Sequence, residues 1–238
     1  MRILIIVPAY NEEKNLDNLI EKLKKCNMDV LVVNDCSDDR TVEICEKFGV
    51  NYIDLPSNLG IGGAVQTGYK YAFKHNYDIA IQVDGDGQHN PDYIIKLVTP
   101  IIEQQADMII GSRYLNKEGF QSTRLRRVGI KYFASLLNLL SKVKVTDPTS
   151  GFRACNKRVI AEFNRYYPID YPEPESIMML ARKKYEIIEI PVVMEERKEG
   201  KSSINFKRSI YYMIKVTLAI LLDRLRMDRD KGVYQNDI

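Results

Sequence analysis

Two carboxylates, Asp84 and Asp86, stand one residue apart in the stretch Val-Asp-Gly-Asp-Gly-Gln-His-Asn-Pro-Asp-Tyr (83–93), directly after the apolar run Ile79-Ala80-Ile81. Carboxylate oxygens are hard ligands that suit Mg²⁺ or Mn²⁺. Such an ion commonly takes one or two of them and completes its shell with substrate phosphates and water. Gly85 and Gly87 let backbone approach a ligand closely and adopt turns that other residues resist. The chemistry this predicts is a nucleoside diphosphate held through a divalent cation. Asp, Gly and Asn are also ordinary turn formers, so an acidic loop between a strand and a helix is the competing reading.

The elements that must position these groups follow from periodicity. Residues 3–7 are a short apolar run that Pro8 is expected to close, and Leu16, Leu19, Ile20 and Leu23 fall at the i, i+3, i+4, i+7 spacing of an amphipathic helix. Residues 30–33 read as the next strand, 41–48 as a helix and 52–55 as a strand. After a glycine-rich loop (Gly60, Gly62, Gly63) a helix runs to about His75, and residues 79–83 form a strand. A helix opens near Pro91, where proline suits the first turn, and 108–110 is a further strand. Repeated strand–helix units with runs apolar on both faces predict an α/β fold, a mostly parallel sheet covered by helices. Ligands of such sheets sit at the carboxyl ends of the strands. The polar clusters at 8–12, 34–39 and 84–88 all fall at such ends, which makes one shared site of them. The second half is less regular: Phe133, Leu136, Leu137 and Leu140 mark a helix, 173–184 reads as helical, 187–193 as extended, and 204–226 is the longest helical pattern.

Composition excludes several classes. The formal charge of +3 over 238 residues is too small to make the chain a nucleic-acid binder. Its distribution says more: residues 113–144 hold eight Lys/Arg against the single acid Glu118, and from Arg197 onward ten Lys/Arg face five Asp/Glu. Two late basic segments point to an anionic partner or surface. Cys26, Cys36, Cys45 and Cys155 form no CxxC pair and no zinc spacing with His75 or His89, so reduced thiols in a cytosolic protein are expected. The opening run is too short for a signal peptide and lacks a cleavage site.

The segments VPAYNEE (7–13), VNDCSDD (33–39), NLGIGGAVQTGY (58–69), QVDGDGQHNPDYI (82–94), GSRY (111–114), DPTSGFRA (147–154) and GKSSI (200–204) together resemble family 2 glycosyltransferases. The likeness is strongest to the dolichol- and polyprenyl-phosphate sugar transferases and their bacterial polysaccharide relatives. It implies a GT-A, Rossmann-like domain over 1–203, followed at 204–238 by a helical tail, and an inverting, metal-dependent transfer of a sugar from a UDP- or GDP-sugar. It also implies roles position by position. Pro8, Ala9, Tyr10 and Glu12 would wrap the nucleoside and Asp35 would bind its base or ribose. Asp84 would face the nucleotide and sugar, Asp86 would ligate Mg²⁺ or Mn²⁺, and Gln88 would complete the metal shell with Asp84. Arg113 would lie beside the diphosphate or acceptor, Asp147 would approach the reacting centre, and Lys201 and Ser203 belong to a loop that closes on the diphosphate.

Each position has a plainer alternative. Pro8 ends a strand, Tyr10 packs, and Asp39 with Thr41 is better read as a helix cap than as a ligand. GIGGAV lacks the third glycine of a dinucleotide fingerprint and reads as close backbone packing. The 147–151 segment has the make-up of a proline turn. Glu173 and Glu175 open a helix, where the helix dipole alone favours acids.

The acceptor side departs from the family pattern. The polyprenyl-phosphate enzymes place a serine four residues after an arginine that holds the acceptor phosphate, and here Ile130 follows Arg126 at that spacing. Arg126 and Arg127 are the acceptor-binding candidates, with Lys131 or Ser135 as substitutes and a merely solvated basic face as the alternative. An acceptor phosphate needs no general base, being already anionic, whereas a sugar hydroxyl on a growing polysaccharide does. Residues 210–222 are apolar except for Lys215 and Thr217, too short to span a bilayer, which takes about 20 residues. With Lys207, Arg208, Arg224 and Arg226 at its flanks and Tyr211 and Tyr212 within, the tail reads as an amphipathic helix lying on an anionic membrane surface. The alternative is packing on the domain or on another subunit of a homo-oligomer. The expectation is therefore a cytoplasmic enzyme attached peripherally to the cytoplasmic membrane face, using a lipid-linked acceptor such as polyprenyl phosphate in cell-envelope glycan synthesis. A catalytically silent nucleotide-sugar-binding or assembly protein is the contrasting class, and a silent homologue would have no need of an intact Asp84-x-Asp86 with Lys201.

Overall fold

A computed structural model describes residues 1–196 and 206–225. Strands β1 (Ile3–Ala9), β2 (Asp29–Asn34), β3 (Asn51–Asp54), β4 (Ile79–Gln82), β5 (Met108–Ser112), β6 (Arg153–Asn156) and β7 (Ile187–Pro191) form one sheet in the order β3-β2-β1-β4-β6-β5-β7. All pairings are parallel except those of β6, which runs antiparallel to β4 and to β5. Side chains alternate across the strands, so Leu4 and Ile6 enter one apolar cluster while Ile5 and Val7 enter the other. Helices α1 (Leu16–Lys24), α2 (Thr41–Phe48) and α4 (Ile94–Ile102) cover the Ile5 face. Helices α3 (Gly60–Lys74), α5 (Arg124–Ser141), α6 (Lys157–Arg165), α7 (Pro172–Arg182) and α8 (Phe206–Leu225) cover the other. Burial on both faces explains why the strands read as continuous apolar runs.

Three local features differ from the pattern-based reading. Strand β6 has no apolar alternation to announce it, since its four residues begin with a charged Arg153 and end with Asn156, which caps α6 by accepting from Val159 N at 3.0 Å. The glycines at 60–63 form the first turn of α3 rather than a loop. A Cβ on Gly62 would stand 2.0 Å from the Ile169 carbonyl oxygen, to which Gly62 N donates at 3.0 Å. Pro8 sits inside β1, in register with Val33 of β2. Lacking an N–H, it offers the following loop only its carbonyl: beyond the last rung, Ile6 with Gln82, Val83 N bonds the Ile6 carbonyl (2.9 Å) and Gly85 N the Pro8 carbonyl (3.2 Å).

Helix α8 buries Val216 and Ile220 in the core and packs on α5 and α7. Its outward side carries Tyr211, Ile214, Leu218, Leu222 and Leu225, all more than half exposed. The charged Asp223 meanwhile pairs with Arg182 (3.4 Å) and Lys215 with Asp170. Both sides of α8 are thus largely apolar. No helix among the described residues is long and apolar enough to cross a membrane.

Candidate active site

The strand order reverses between β1 and β4, and the two carboxylates leave the sheet beside that crevice, the usual ligand position of an open α/β sheet. Gly85 N donates to the Pro8 carbonyl (3.2 Å), and a Cβ there would stand 2.9 Å from that oxygen, so only glycine lets the loop lie this close to β1. Asp84 is held from three sides. The fully buried Gln82 donates Nε2–H to its Oδ1 (3.0 Å). His89, itself buried, accepts the Asp84 backbone N–H on Nδ1 (3.0 Å), which leaves the proton of the neutral ring on Nε2, 3.6 Å from Asp84 Oδ2. The His89 ring is stacked on Phe152, centroids 4.8 Å apart. From above, Gly151 covers the carboxylate so closely that a Cβ would lie 2.8 Å from Oδ2 and from Gln82 Nε2. Asp86 Oδ1 accepts Gln88 N (3.0 Å), and Gln88 is tied to Glu195 through both its carbonyl and its side chain.

No three His, Cys, Asp or Glu side chains gather as a metal site among the described residues. The donor set at this loop is two carboxylates and the Gln88 amide, all oxygen-bearing and too few to enclose an ion. That set fits Mg²⁺ or Mn²⁺, which keep places for water and substrate phosphate, and fits zinc poorly.

The loops after β1 and β2, which hold the nucleoside-binding candidates, are bonded into one wall. Asn11 N donates to Ser37 Oγ and Asp38 N to Asn11 Oδ1, both at 2.9 Å, and Glu13 N donates to Asp39 Oδ2 at 3.0 Å. Asp39 Oδ1 also accepts Thr41 N (2.9 Å) at the start of α2, but Asp39 stands one residue ahead of the N-cap, which is Arg40 and makes no side-chain cap bond. Asp35, 3% exposed, receives Leu59 N on Oδ1 (2.7 Å), and its own N–H donates to the Ala9 carbonyl (2.8 Å). Ala9 is buried, whereas Tyr10 is 48% exposed and so is not a core packing residue. Glu12 does local work: its carbonyl accepts Asn15 N and Leu16 N at the start of α1, and its Oε2 accepts Asn15 Nδ2 (2.7 Å).

Arg113 and Asp147 come together as a buried bidentate pair, Nε to Oδ2 at 2.7 Å and an Nη to Oδ1 at 2.8 Å. Burial pushes the guanidinium down, but the Asp147 bonds more than offset it, and its affinity for the proton ends above the ordinary value. The segment is a turn, with Ser150 N donating to Asp147 O across Pro148, and its backbone is anchored to β7: Glu189 accepts Thr146 N, Thr146 Oγ1 and Asp147 N within 2.8 Å. The turn reading of 147–151 therefore holds, and the Arg113–Asp147 pair is part of it.

The acceptor-binding candidates Arg126 and Arg127 lie in the first turns of α5, which Thr123 caps, Arg126 exposed and Arg127 half-buried. Glu173, partly buried at the start of α7, is the residue the dipole argument undervalued. Burial pushes its carboxyl up to about 7; Arg153 opposes the rise, Asp84 adds to it and Arg126 opposes it. Glu175 is also pushed to about 7, by burial first and then by Asp223 and Glu173. Lys201 and Ser203 lie outside the described residues.

The family model for glycosyl transferase family 2 matches residues 4–163, and the chain belongs to that family of glycosyltransferases. A UDP-N-acetylglucosamine–dolichyl-phosphate N-acetylglucosaminyltransferase of Methanococcus voltae is 33% identical over 211 residues, 80% of this chain and 84% of that protein. An undecaprenyl-phosphate mannosyltransferase of Micrococcus luteus is 29% identical over 220 residues, 86% of this chain and 88% of that one. Among solved structures, glucosyl-3-phosphoglycerate synthase of Mycobacterium tuberculosis, crystallised with Mn²⁺, UDP and phosphoglyceric acid, superposes with a TM-score of 0.72 at 16% identity. That superposition covers 98% of this chain and 81% of that one, a likeness of fold.

Proposed function

We propose that this glycosyltransferase moves a hexosyl or N-acetylhexosaminyl group from a nucleoside-diphosphate sugar to polyprenyl phosphate, with inversion at the anomeric carbon. The observation that carries the reading is Asp84, fixed by Gln82, His89 and Gly151 beside Asp86 at the switch point, with Arg126 close enough to act, as Asp84 does, on the Glu173 carboxyl. The Methanococcus and Micrococcus relatives, named for dolichyl- and undecaprenyl-phosphate transfer, support the acceptor class.

In this mechanism Pro8, Ala9, Tyr10, Glu12 and Asp35 seat the nucleoside, and Asp86, Gln88 and Asp84 hold a divalent cation. When bound, Mg²⁺ or Mn²⁺ there neutralises charge building on the departing diphosphate. Asp84, immobile in its cradle, orients the donor sugar, while the Arg113–Asp147 pair fixes the turn that places Gly151 over it. Arg126 and Arg127 receive the acceptor phosphate and aim an oxygen at the face of the anomeric carbon opposite the leaving group, so an α-linked donor gives a β-linked product. Lys201 and Ser203 complete the donor side. Residues 1–203 carry the transfer, and 204–238 bring it to the membrane. The outward apolar side of α8 suits insertion among lipid headgroups at the cytoplasmic face, an environment that relieves its exposed leucines.

Glu173 gives specific support to a second reading, transfer to a sugar hydroxyl. A carboxyl titrating near 7 beside Asp84 is suited to take a hydroxyl proton, and equally, when protonated, to donate a hydrogen bond to a phosphate. Incubation with radiolabelled UDP- and GDP-sugars and undecaprenyl phosphate tests the first reading, with lipid-extractable label as the expected result. Label appearing only on oligosaccharide acceptors replaces it with the second. Replacing Leu218 and Leu222 together by serine tests the membrane role: flotation with anionic vesicles is expected to drop while nucleotide binding holds, and unchanged flotation rejects it.

A further inference from the structure

The largest fully buried side chain among the described residues is a charged one, Arg153. It is the first residue of β6, in register with Gln82 on one side and Ile110 on the other, which places it under the Asp84 loop. Its bonds are all to neutral acceptors: Nε–H to the Ser150 carbonyl (2.7 Å), one Nη to the Pro148 carbonyl (3.1 Å), the other to Ser176 Oγ (2.8 Å). No carboxylate lies within ion-pair distance of it among the described residues. Burying a cation without a bonded anion is costly, so a fold that keeps one there has a use for the charge or for the fork.

Both uses have a visible object. Two of the bonds grip the 147–151 turn that carries Asp147 and Gly151. The third reaches Ser176, which passes it on by donating its hydroxyl to the Glu173 carbonyl (2.9 Å). The guanidinium thereby buckles the turn over the donor to the helix start on the acceptor side. Its charge is also felt there. Arg153 is the main influence opposing burial at Glu173, ahead of Arg126, and it acts in the same sense on Tyr167 and Tyr212. The other charged or titratable groups facing Glu173 are Asp84, Arg126, Tyr167, Tyr212 and its own helix neighbour Glu175.

We propose that Arg153 is a positioning residue, buckling the donor-side turn to the acceptor-side helix and serving Glu173 as its counter-charge. A rigid link of this kind keeps the acceptor wall at a set distance from Asp84 whichever acceptor is used, so the inference does not rest on the choice of polyprenyl phosphate.

The test is carboxyl NMR of protein labelled with ¹³C-glutamate, the Glu173 signal assigned by its absence in Glu173→Gln, together with donor and acceptor kinetics. In Arg153→Gln the Glu173 midpoint is expected to rise by about half a pH unit or more, with nucleotide affinity unchanged and kcat reduced at least tenfold. Arg153→Lys, which retains the charge, should recover at least half of that midpoint shift. Ser176→Ala leaves the cation but frees it from α7, and should raise the midpoint less and lower kcat for transfer while leaving the donor KM alone. An unchanged Glu173 midpoint in folded Arg153→Gln overturns the counter-charge role. An unchanged kcat in Ser176→Ala overturns the buckle. Should Arg153→Gln fail to fold, Arg153→Met takes its place for the midpoint and Ser176→Ala decides the buckle, and because the midpoint is read without acceptor, the result is independent of the proposed reaction.

Discussion

The two sides of the cleft are held by different physics. At the ends of β1 and β2, main-chain N–H groups do the holding: Asp35 N bonds the Ala9 carbonyl, Gly85 N the Pro8 carbonyl, and short polar loops clip to one another through Asn11 N and Asp38 N. Around the 147–151 turn and the start of α7, buried side-chain charges do it. Arg113 grips Asp147, Arg153 spans from the turn to α7, and Glu189 anchors the turn from below. A wall made of strand ends can change its exposed side chains without losing its shape. A wall made of buried ions loses shape when one of them goes, and its acids are displaced from their ordinary pKa values in the process.

That contrast is broken most severely at Arg113. Arg113→Ala leaves Asp147 a buried carboxylate with no cation, and losing one member of a buried pair costs about 3–5 kcal/mol. Urea unfolding should register the loss directly. A midpoint equal to wild type would mean the pair does not hold the acceptor side together.

The donor side answers oppositely. Asp86→Asn keeps the size of the side chain and its acceptor for Gln88 N, so the melting temperature should stay put while kcat falls about 10²–10³-fold, the scale of losing one group aimed at developing charge. EDTA should reproduce the loss in wild type and added Mn²⁺ or Mg²⁺ reverse it. Full activity in EDTA would remove the metal from the mechanism. Asp35→Asn is milder: it retains an acceptor for Leu59 N but not the charge, and nucleoside diphosphate affinity by calorimetry should weaken by about 1.5–3 kcal/mol. Equal affinity would take Asp35 out of the nucleoside pocket.

The same contrast explains what could be read from the chain. Strands β1, β2 and β4 and helix α1 announce themselves because burial on both faces, or on one helical stripe, leaves a periodic apolar trace. The polar clusters then fall at strand ends by arithmetic. Strand β6 leaves no such trace: its central position depends on Arg153 being buried, and nothing local distinguishes a buried arginine from a surface one. The Arg113–Asp147 contact spans 34 residues and Arg153–Ser176 spans 23, and such pairings follow from tertiary assembly rather than spacing. Glu173 looked like a helix-dipole acid, and it is one. What the local pattern lacked was the burial contributed by residues remote from it in sequence.

The smallest effect expected is a change in the direction of pH dependence, and it sharpens the comparison because only the acceptor side supplies it. Burial lifts the Glu173 carboxyl from its ordinary 4.5 to about 7 in the folded protein, and Glu175 likewise. Below pH 4.5 both states carry the proton, and the carboxyl does not bias folding. Between 4.5 and 7 the unfolded chain releases the proton while the folded one keeps it, so this contribution to stability falls as pH rises through the window and is fully lost above 7. Glu173→Gln removes the penalty, and the variant should match wild type near pH 4.5 and exceed it at pH 8. The gain should be about 1–2 kcal/mol, less than the full shift implies because the group keeps some solvent contact. Denaturant midpoints at the two pH values measure it. A glutamine variant less stable than wild type at pH 8 would show that the ionised carboxylate is on balance welcome there, and that Arg153 and Arg126 outweigh burial at the acceptor wall.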